Sequence, residues 1–237
     1  MDFINSIYSI FQTHGIEFLK ATLITIELTV VSLLIAVVIG LIFAFFKVSN
    51  ITILQKIADL YIFLVRGMPL IVQLMFLYYG ISSVLVLSDF TAGALALGIH
   101  SGAYIAEIFR GSIQSIDRGQ MEAARSLGMP YSLSMRRIIL PQAFKRAIPS
   151  LSNQFIIGLK DSSLVAYIAV TELFNHALSA QAENYMPFET YFVVGMYYLI
   201  LVLIFTLIFN KLEKKLDVSK SRGGSGFDQS KKLMQNV

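Results

Sequence analysis

Apolar residues gather into five runs along the chain, separated by polar and charged segments. The first, ATLITIELTVVSLLIAVVIGLIFAFF (21–46), holds one charge, Glu27, near its start. The second (57–81) is interrupted by Arg66-Gly67-Met68-Pro69, and the third (90–109) is rich in Gly and Ala. The fourth (147–170) contains Lys160 and Asp161, whereas the fifth, TYFVVGMYYLILVLIFTLIF (190–209), is unbroken. At about 1.5 Å per residue, each run is long enough as a helix to cross a hydrocarbon core about 30 Å thick. The pattern predicts an all-α integral membrane protein with five transmembrane helices in a domain over 21–216. Residues 1–20 are expected to be an extracytoplasmic segment. The polar stretch 217–237, rich in Ser, Gly and Lys, reads as a disordered cytoplasmic tail.

Composition agrees. Of the 237 residues, 56% are hydrophobic and 14% charged, against about 45–50% and about 25% in soluble domains. There is no Cys, so neither a disulfide framework nor a thiolate metal site can form, and the three His have no metal-ligand spacing. The N-terminus lacks a basic region and a small-residue cleavage site, and so does not read as a cleaved signal.

The net charge of +4 could suggest nucleic acid, but its distribution argues otherwise. With the N-terminus outside, all Lys and Arg except Lys20 and Lys160 fall on the inner side: Lys47, Lys56 and Arg66, then those of 110–146, then those from Lys211 onward. The outer loops, 82–89 and 171–189, carry Asp89, Glu172, Glu183 and Glu189 and no basic residue. This positive-inside asymmetry predicts N-out, C-in, and a nucleic-acid partner is not needed.

The inner segment 110–146, RGSIQSIDRGQMEAARSLGMPYSLSMRRIILPQAFKR, is too patterned to be a tether. Asp117 or Ser115 can cap a helix start. Residues 119–127 favour a helix, supported by Arg118 and Glu122 at i,i+4, and Gly128 followed by Met-Pro ends it. A second short amphipathic stretch is expected to end at Pro141. On physics alone the first helix either lies on lipid headgroups or offers a docking surface to a soluble partner.

EAARSLGMPYSLSMRRIILPQAF (122–144) resembles the loop signature of ATP-binding-cassette importer permeases: Glu-Ala-Ala, Gly128 and a trailing Ile-x-Leu-Pro. VRGMPLIVQLMFLYYG (65–80), SGAYIAEIFRGSIQSIDRGQ (101–120) and SNQFIIGLKDSSL (152–164) resemble segments of the polar amino-acid branch, with Met68 where that branch has Thr. The resemblance runs in order from about residue 15 to 216. It implies that the loop is a coupling helix docking on a cytosolic ATPase, through Glu122, Ala123, Ala124 and Gly128 with Leu140 and Pro141. Glu122 would pair with a basic residue, and the alanines would permit close approach. The chain has no G-x-x-x-x-G-K-[ST] and so cannot be the ATPase itself.

Ionisable residues inside a span raise a functional hypothesis. Lys160, Asp161, Ser162 and Ser163 either surround a wet helix break, with Asp161 capping the next half-helix through the amides of Ser163 and Leu164, or line the solute pathway. His100, Ser101, Tyr104 and Glu107 form a polar stripe on the third span, with Gly98 and Gly102 as a small-residue packing contact. Glu107 can pair with Arg110 or Arg66, and Asn153 and Gln154 are further polar candidates.

The expectation is therefore a non-enzymatic permease subunit in a bacterial cell membrane, carrying polar L-amino acids. One acidic and one basic intramembrane residue suit a zwitterion such as glutamine or cystine. The family implies a second permease subunit (identical or a paralogue), two cytosolic ATPase subunits binding ATP and Mg, and an extracytoplasmic solute-binding protein. No cofactor is expected in this chain. An ion-coupled transporter or channel is the alternative, though Asp161 and Glu107 are a thin set of coupling carboxylates. A membrane enzyme has no nucleophile–base pair to support it.

Overall fold

The computed structural model describes residues 3–216, and the proposed tail over 217–237 lies outside them. The described residues form helices α1 (Phe3–Val48), α2 (Thr52–Gly67), α3 (Leu70–Met75), α4 (Asp89–Gln114), α5 (Arg118–Ser126), α6 (Tyr131–Ser134), α7 (Leu140–Asp161), α8 (Leu173–Asn184) and α9 (Pro187–Lys215). Three of them, α1, α4 and α9, are long and apolar enough to cross a membrane, and a fourth crossing is available if α2 and α3 count as one broken span.

The core forms where α1 and α4 run side by side in the same direction. Their contact stripe on α1 is built from small residues, Ser32, Ala36, Gly40 and Ala44, spaced four apart. Each helix offers gaps to the other. A Cβ on Gly40 would stand 2.5 Å from Ile105 Cγ2, one on Gly98 2.7 Å from Ile35 Cγ2, and one on Gly102 2.9 Å from Ile39 Cγ2. The small-residue contact expected at Gly98 and Gly102 is present, with Ile side chains as the knobs. α4 is buried over most of its apolar window and occupies the centre, whereas α9 exposes most of its surface.

Four expectations change. Residues 3–20 are not a separate segment but the first turns of α1. The second span is not one helix: α2 and α3 meet at 104°, at the break containing Met68 and Pro69. Pro69 has no amide to continue α2, and the residue before it is pushed out of the helical region, Met68 having ψ 140°. The stretch over 131–140 does not stop at Pro141. Instead α6 passes through one wide π-type turn (Met135–Ile139) into α7, whose first turn holds Pro141. Pro141 lacks the amide that would bond the Arg137 carbonyl, and a wide turn accommodates that loss. Finally, the fourth span does not break at Asp161. It tightens into a 3₁₀ helix (Ser162–Ile168) and turns at Ala169 (φ 66°) towards α8, a helix within the expected outer loop.

Gly98→Val should drive a branched side chain into Ile35 and destabilise the protein by at least about 1–3 kcal/mol, the range for overpacked cores. Thermal unfolding of the detergent-solubilised protein would show this as a lowered midpoint, while Gly111→Ala, where a Cβ meets nothing within 4 Å, should leave the midpoint close to wild type.

Candidate functional site

Helix α5 is built by local signals. Asp117 accepts a hydrogen bond from the amide of Gly119 at 2.7 Å, capping the N-terminus. At the other end Gly128 takes φ 80°, its amide bonds the Arg125 carbonyl, and the Met129 amide reaches back to the Ala124 carbonyl. That pair of bonds is a Schellman closure, which favours glycine at the left-handed position. Ala124 is buried, and Met121 packs with Ile113, Ile116 and Ile139, so one side of α5 rests on its own chain. Arg146 donates to the carbonyl and hydroxyl of Ser115, tying the end of α4 to α7 beneath this helix. Glu122, Ala123, Ser126, Leu127 and Gly128 are left exposed, Leu127 by 84%.

This divides the expected docking residues. Glu122, Ala123 and Gly128 face solvent, but Ala124 does not: it packs inward. Leu140 packs against the same inner cluster, while Pro141 is exposed in the first turn of α7. Arg118 and Glu122 form no ion pair among the described residues.

Inside the bundle, the polar residues fall into two groups. The α2–α3 elbow is closed by Gln73, whose Nε2 donates to the carbonyls of Val65 (2.7 Å) and Met68 (2.9 Å) that the break leaves free. His100 Nδ1 lies 3.1 Å from the same nitrogen. One turn further, Tyr104 sits 5.2 Å from the His100 ring and carries the Arg66 guanidinium 4.9 Å over its face. Glu107 pairs with Arg110, not Arg66, through both carboxylate oxygens. Ser101 is buried on α4. Beside the elbow lies a cavity of about 360 Å³, lined by Met68, Val72, Gln73, Phe76 and Ile99 among others and almost wholly apolar.

The second group is at the C-terminal end of α7. Ser162 is fully buried and donates to the Leu159 carbonyl, and Ser163 donates to the Lys160 carbonyl. Asp161 does not cap the following turns, since its side chain bonds no amide there. Asn153 is exposed and Gln154 buried. Lys160 and Ser163 line a cavity of about 430 Å³ with Phe174, Tyr191, Gly195 and Tyr198. Of the residues grouped above as a pathway, Lys160 and Ser163 line this cavity, and the cavity at the elbow shares no lining residue with it.

Sequence reasoning missed Glu172, read above as an outer-loop acid. It is completely buried. Its carboxylate accepts hydrogen bonds from the amides of Phe174 (2.9 Å) and Asn175 (2.8 Å), capping α8, and from the hydroxyl of Tyr198 on α9 (2.9 Å). Thr25 on α1 approaches at 3.5 Å and accepts from the Leu173 amide. Three elements thus converge on one carboxylate. The only local hint was an acid directly before the start of a helix.

The chain matches the family model described as binding-protein-dependent transport system inner membrane component over residues 36–218. It is 38% identical over 200 residues to the arginine transport system permease protein ArtQ of Bacillus subtilis (strain 168), covering 84% of this chain and 91% of that protein. It is 36% identical over 197 residues to the glutamine transport system permease protein GlnP of Escherichia coli (strain K12), covering 82% and 90%. A crystal structure of an amino acid ABC transporter with histidines superposes with a TM-score of 0.82 at 38% identity, covering 91% of this chain and 99% of that one.

Glu172→Ala would leave two amides and a phenol without their acceptor, each at about 1–3 kcal/mol. A large fall in thermal midpoint is expected, with Glu172→Gln falling less because one carbonyl oxygen remains.

Proposed function

Because the chain belongs to the binding-protein-dependent transport system inner membrane components, and among them to the amino-acid permeases of ATP-binding-cassette transporters, we propose that it is the membrane subunit of an ATP-driven importer for a polar L-amino acid in a bacterial cell membrane. The observation that carries the coupling half of this reading is α5. It is a short helix fixed at both ends by its own caps and seated on one side, with Glu122 and Ala123 presented outward. A rigid exposed helix transmits displacement, whereas a tether would absorb it.

In this reading the chain crosses the membrane five times, N-out and C-in, with the broken α2–α3 unit and α7 with its 3₁₀ extension supplying the second and fourth crossings. Charge supports the orientation, since α5 and its flanks carry Arg118, Arg125, Arg136 and Arg137. The assembly contains a second permease subunit, identical or a paralogue, and two cytosolic ATPase subunits that hold ATP and Mg. A separate binding protein delivers the solute from outside. Closure of the ATPase subunits on ATP moves α5, and Arg146 and the inner cluster pass that motion to α4 and α7.

The solute is zwitterionic, with glutamine or cystine favoured by Lys160 and Asp161 lying next to each other in the outer part of α7. His100, Ser101, Tyr104, Asn153, Ser162 and Ser163 complete the pathway. The cavity that Lys160 and Ser163 line with Tyr191 and Tyr198 offers polar groups to such a solute.

Glu122→Lys should leave insertion and thermal midpoint unchanged but lower ATP-dependent uptake in proteoliposomes at least about tenfold, the effect of replacing an attractive charge pair by a repulsive one. Uptake at the wild-type rate would remove α5 from the coupling path. Asp161→Asn should abolish glutamine-stimulated ATP hydrolysis by the reconstituted complex, and retained stimulation would count against Asp161 as a pathway residue.

A further inference from the structure

We propose that the first turns of α1, residues 3–20, lie obliquely in the outer leaflet as an interfacial segment, with Ile4, Tyr8, Phe11 and Leu19 against lipid. The inference rests on the N-out orientation only for which leaflet is meant.

The geometry comes from pairs between α1 and α9. Phe3 packs on Phe188 and Phe192 (ring centroids 5.7 and 5.5 Å), Phe11 and Phe18 both reach Tyr197 (6.0 and 5.7 Å), and Thr25 meets Tyr198 through Glu172. Between the first and last of these, α1 advances 22 residues, about 33 Å, while α9 advances ten, about 15 Å. Along this contact α1 therefore uses about twice the length that α9 does. α1 is about 69 Å long, more than twice the hydrocarbon thickness. An upright α1 would carry residues 3–20 some 27 Å into water. Since Phe3 instead sits level with the start of α9, the segment remains at the depth where α9 enters the membrane.

The side chains fit that depth. Ile10, His14 and Phe18 are buried against α8 and α9. On the exposed surface, Ile4, Tyr8, Phe11 and Leu19 form one strip, which continues along the same helix through Leu23, Val30, Leu34, Val38 and Ile42. The neighbouring strip is polar: Asn5, Ser9, Gln12, Thr13, Glu17 and Lys20 are all exposed, with Ile16 among them. Beyond Lys20 the exposed side of this helix carries only Glu27 as a charge until Lys47. A helix that is apolar towards one side and polar towards the other for its first five turns, then apolar throughout, passes from the interface into the hydrocarbon. Exposed Phe188, Tyr191 and Phe192 at the start of α9 lie alongside, as aromatic residues do at an interface. Lipid is preferred to a second copy of the chain as the occupant because the apolar strip is continuous with the lipid-facing strip of the span.

The chain has no Cys, so single cysteines introduced at Tyr8, Thr13, Leu19 and Leu34 each accept one nitroxide without background from this subunit. The labelled permease would be assembled with its ATPase partner in bilayers of phosphatidylethanolamine and phosphatidylglycerol. Collision of the spin label with oxygen and with a water-soluble nickel chelate then reports its surroundings. Positions 8 and 19 should favour oxygen as position 34 does, and position 13 should favour the nickel chelate. Nickel-dominated collision at 8 and 19 would overturn the proposal, because the segment would stand in water. Low collision with both reagents there, with spin–spin broadening, would overturn it in favour of a second copy. A cysteine at 13 that a membrane-impermeant maleimide labels only in opened cells would refute the N-out orientation and leave the lipid contact standing.

Discussion

The separation of α1 and α4 is the constraint on which the remaining structure depends. Lipid offers no hydrophobic drive to bring two apolar helices together, so their association rests on close packing. Gly40, Gly98 and Gly102 each leave room for one Ile methyl of the facing helix, and a Cβ at any of them would overlap it. Once α4 is held in this way, its other faces are available to α2, the elbow and α7. Tyr61 of α2 uses the space beside Gly102 to donate to the Ile99 carbonyl at 2.6 Å. Val165 of the 3₁₀ turn rests on Gly93. The helix that carries His100 and Tyr104 is thus the most buried of the three long apolar helices.

Around that core, three departures from regular helix are closed by side chains. The α2–α3 break frees two carbonyls, and Gln73 takes both. The end of α4 is met by Arg146. The start of α8 is met by Glu172, whose cost of burial is offset by two amides and a phenol. Within a membrane an unpaired backbone group costs several kcal/mol, so these side chains are a condition of the bends being present at all. Arg146 joins the end of α4 to α7, and the cluster of Ile113, Ile116 and Ile139 joins α4 to the π-type turn beside α5.

What could be read in the sequence follows from how local each determinant is. The spans in α1, α4 and α9 were legible because apolar length is a local property. The caps of α5 were equally legible, since Asp117 and Gly128 act within three residues of themselves. Pro69 announced a break but not its 104° angle, because the angle is held by Gln73 and His100, and His100 comes from another helix. Pro141 suggested a stop, yet one wide turn carried the helix past it. Ala124 looked equivalent to Ala123 until α6 and the π-type turn covered one side of α5. Glu172 was the least legible, since Thr25 and Tyr198 lie 147 and 26 residues away. Lys160 lines its cavity with residues of α8 and α9, which no local pattern around Lys160 could announce.

The central claim is that an ATPase drives this chain by gripping α5. Disulfide cross-linking tests it directly, since the native chain has no cysteine. A cysteine at Ala123 would be paired with cysteines placed around the groove of the ATPase subunit, with a cysteine at buried Ala124 as the comparison. The account predicts a cross-link from position 123 that forms readily in the assembled complex, with little from 124, and a yield that changes when ATP is bound. Equal cross-linking from both positions, or none from 123 in a complex that still transports, would contradict it.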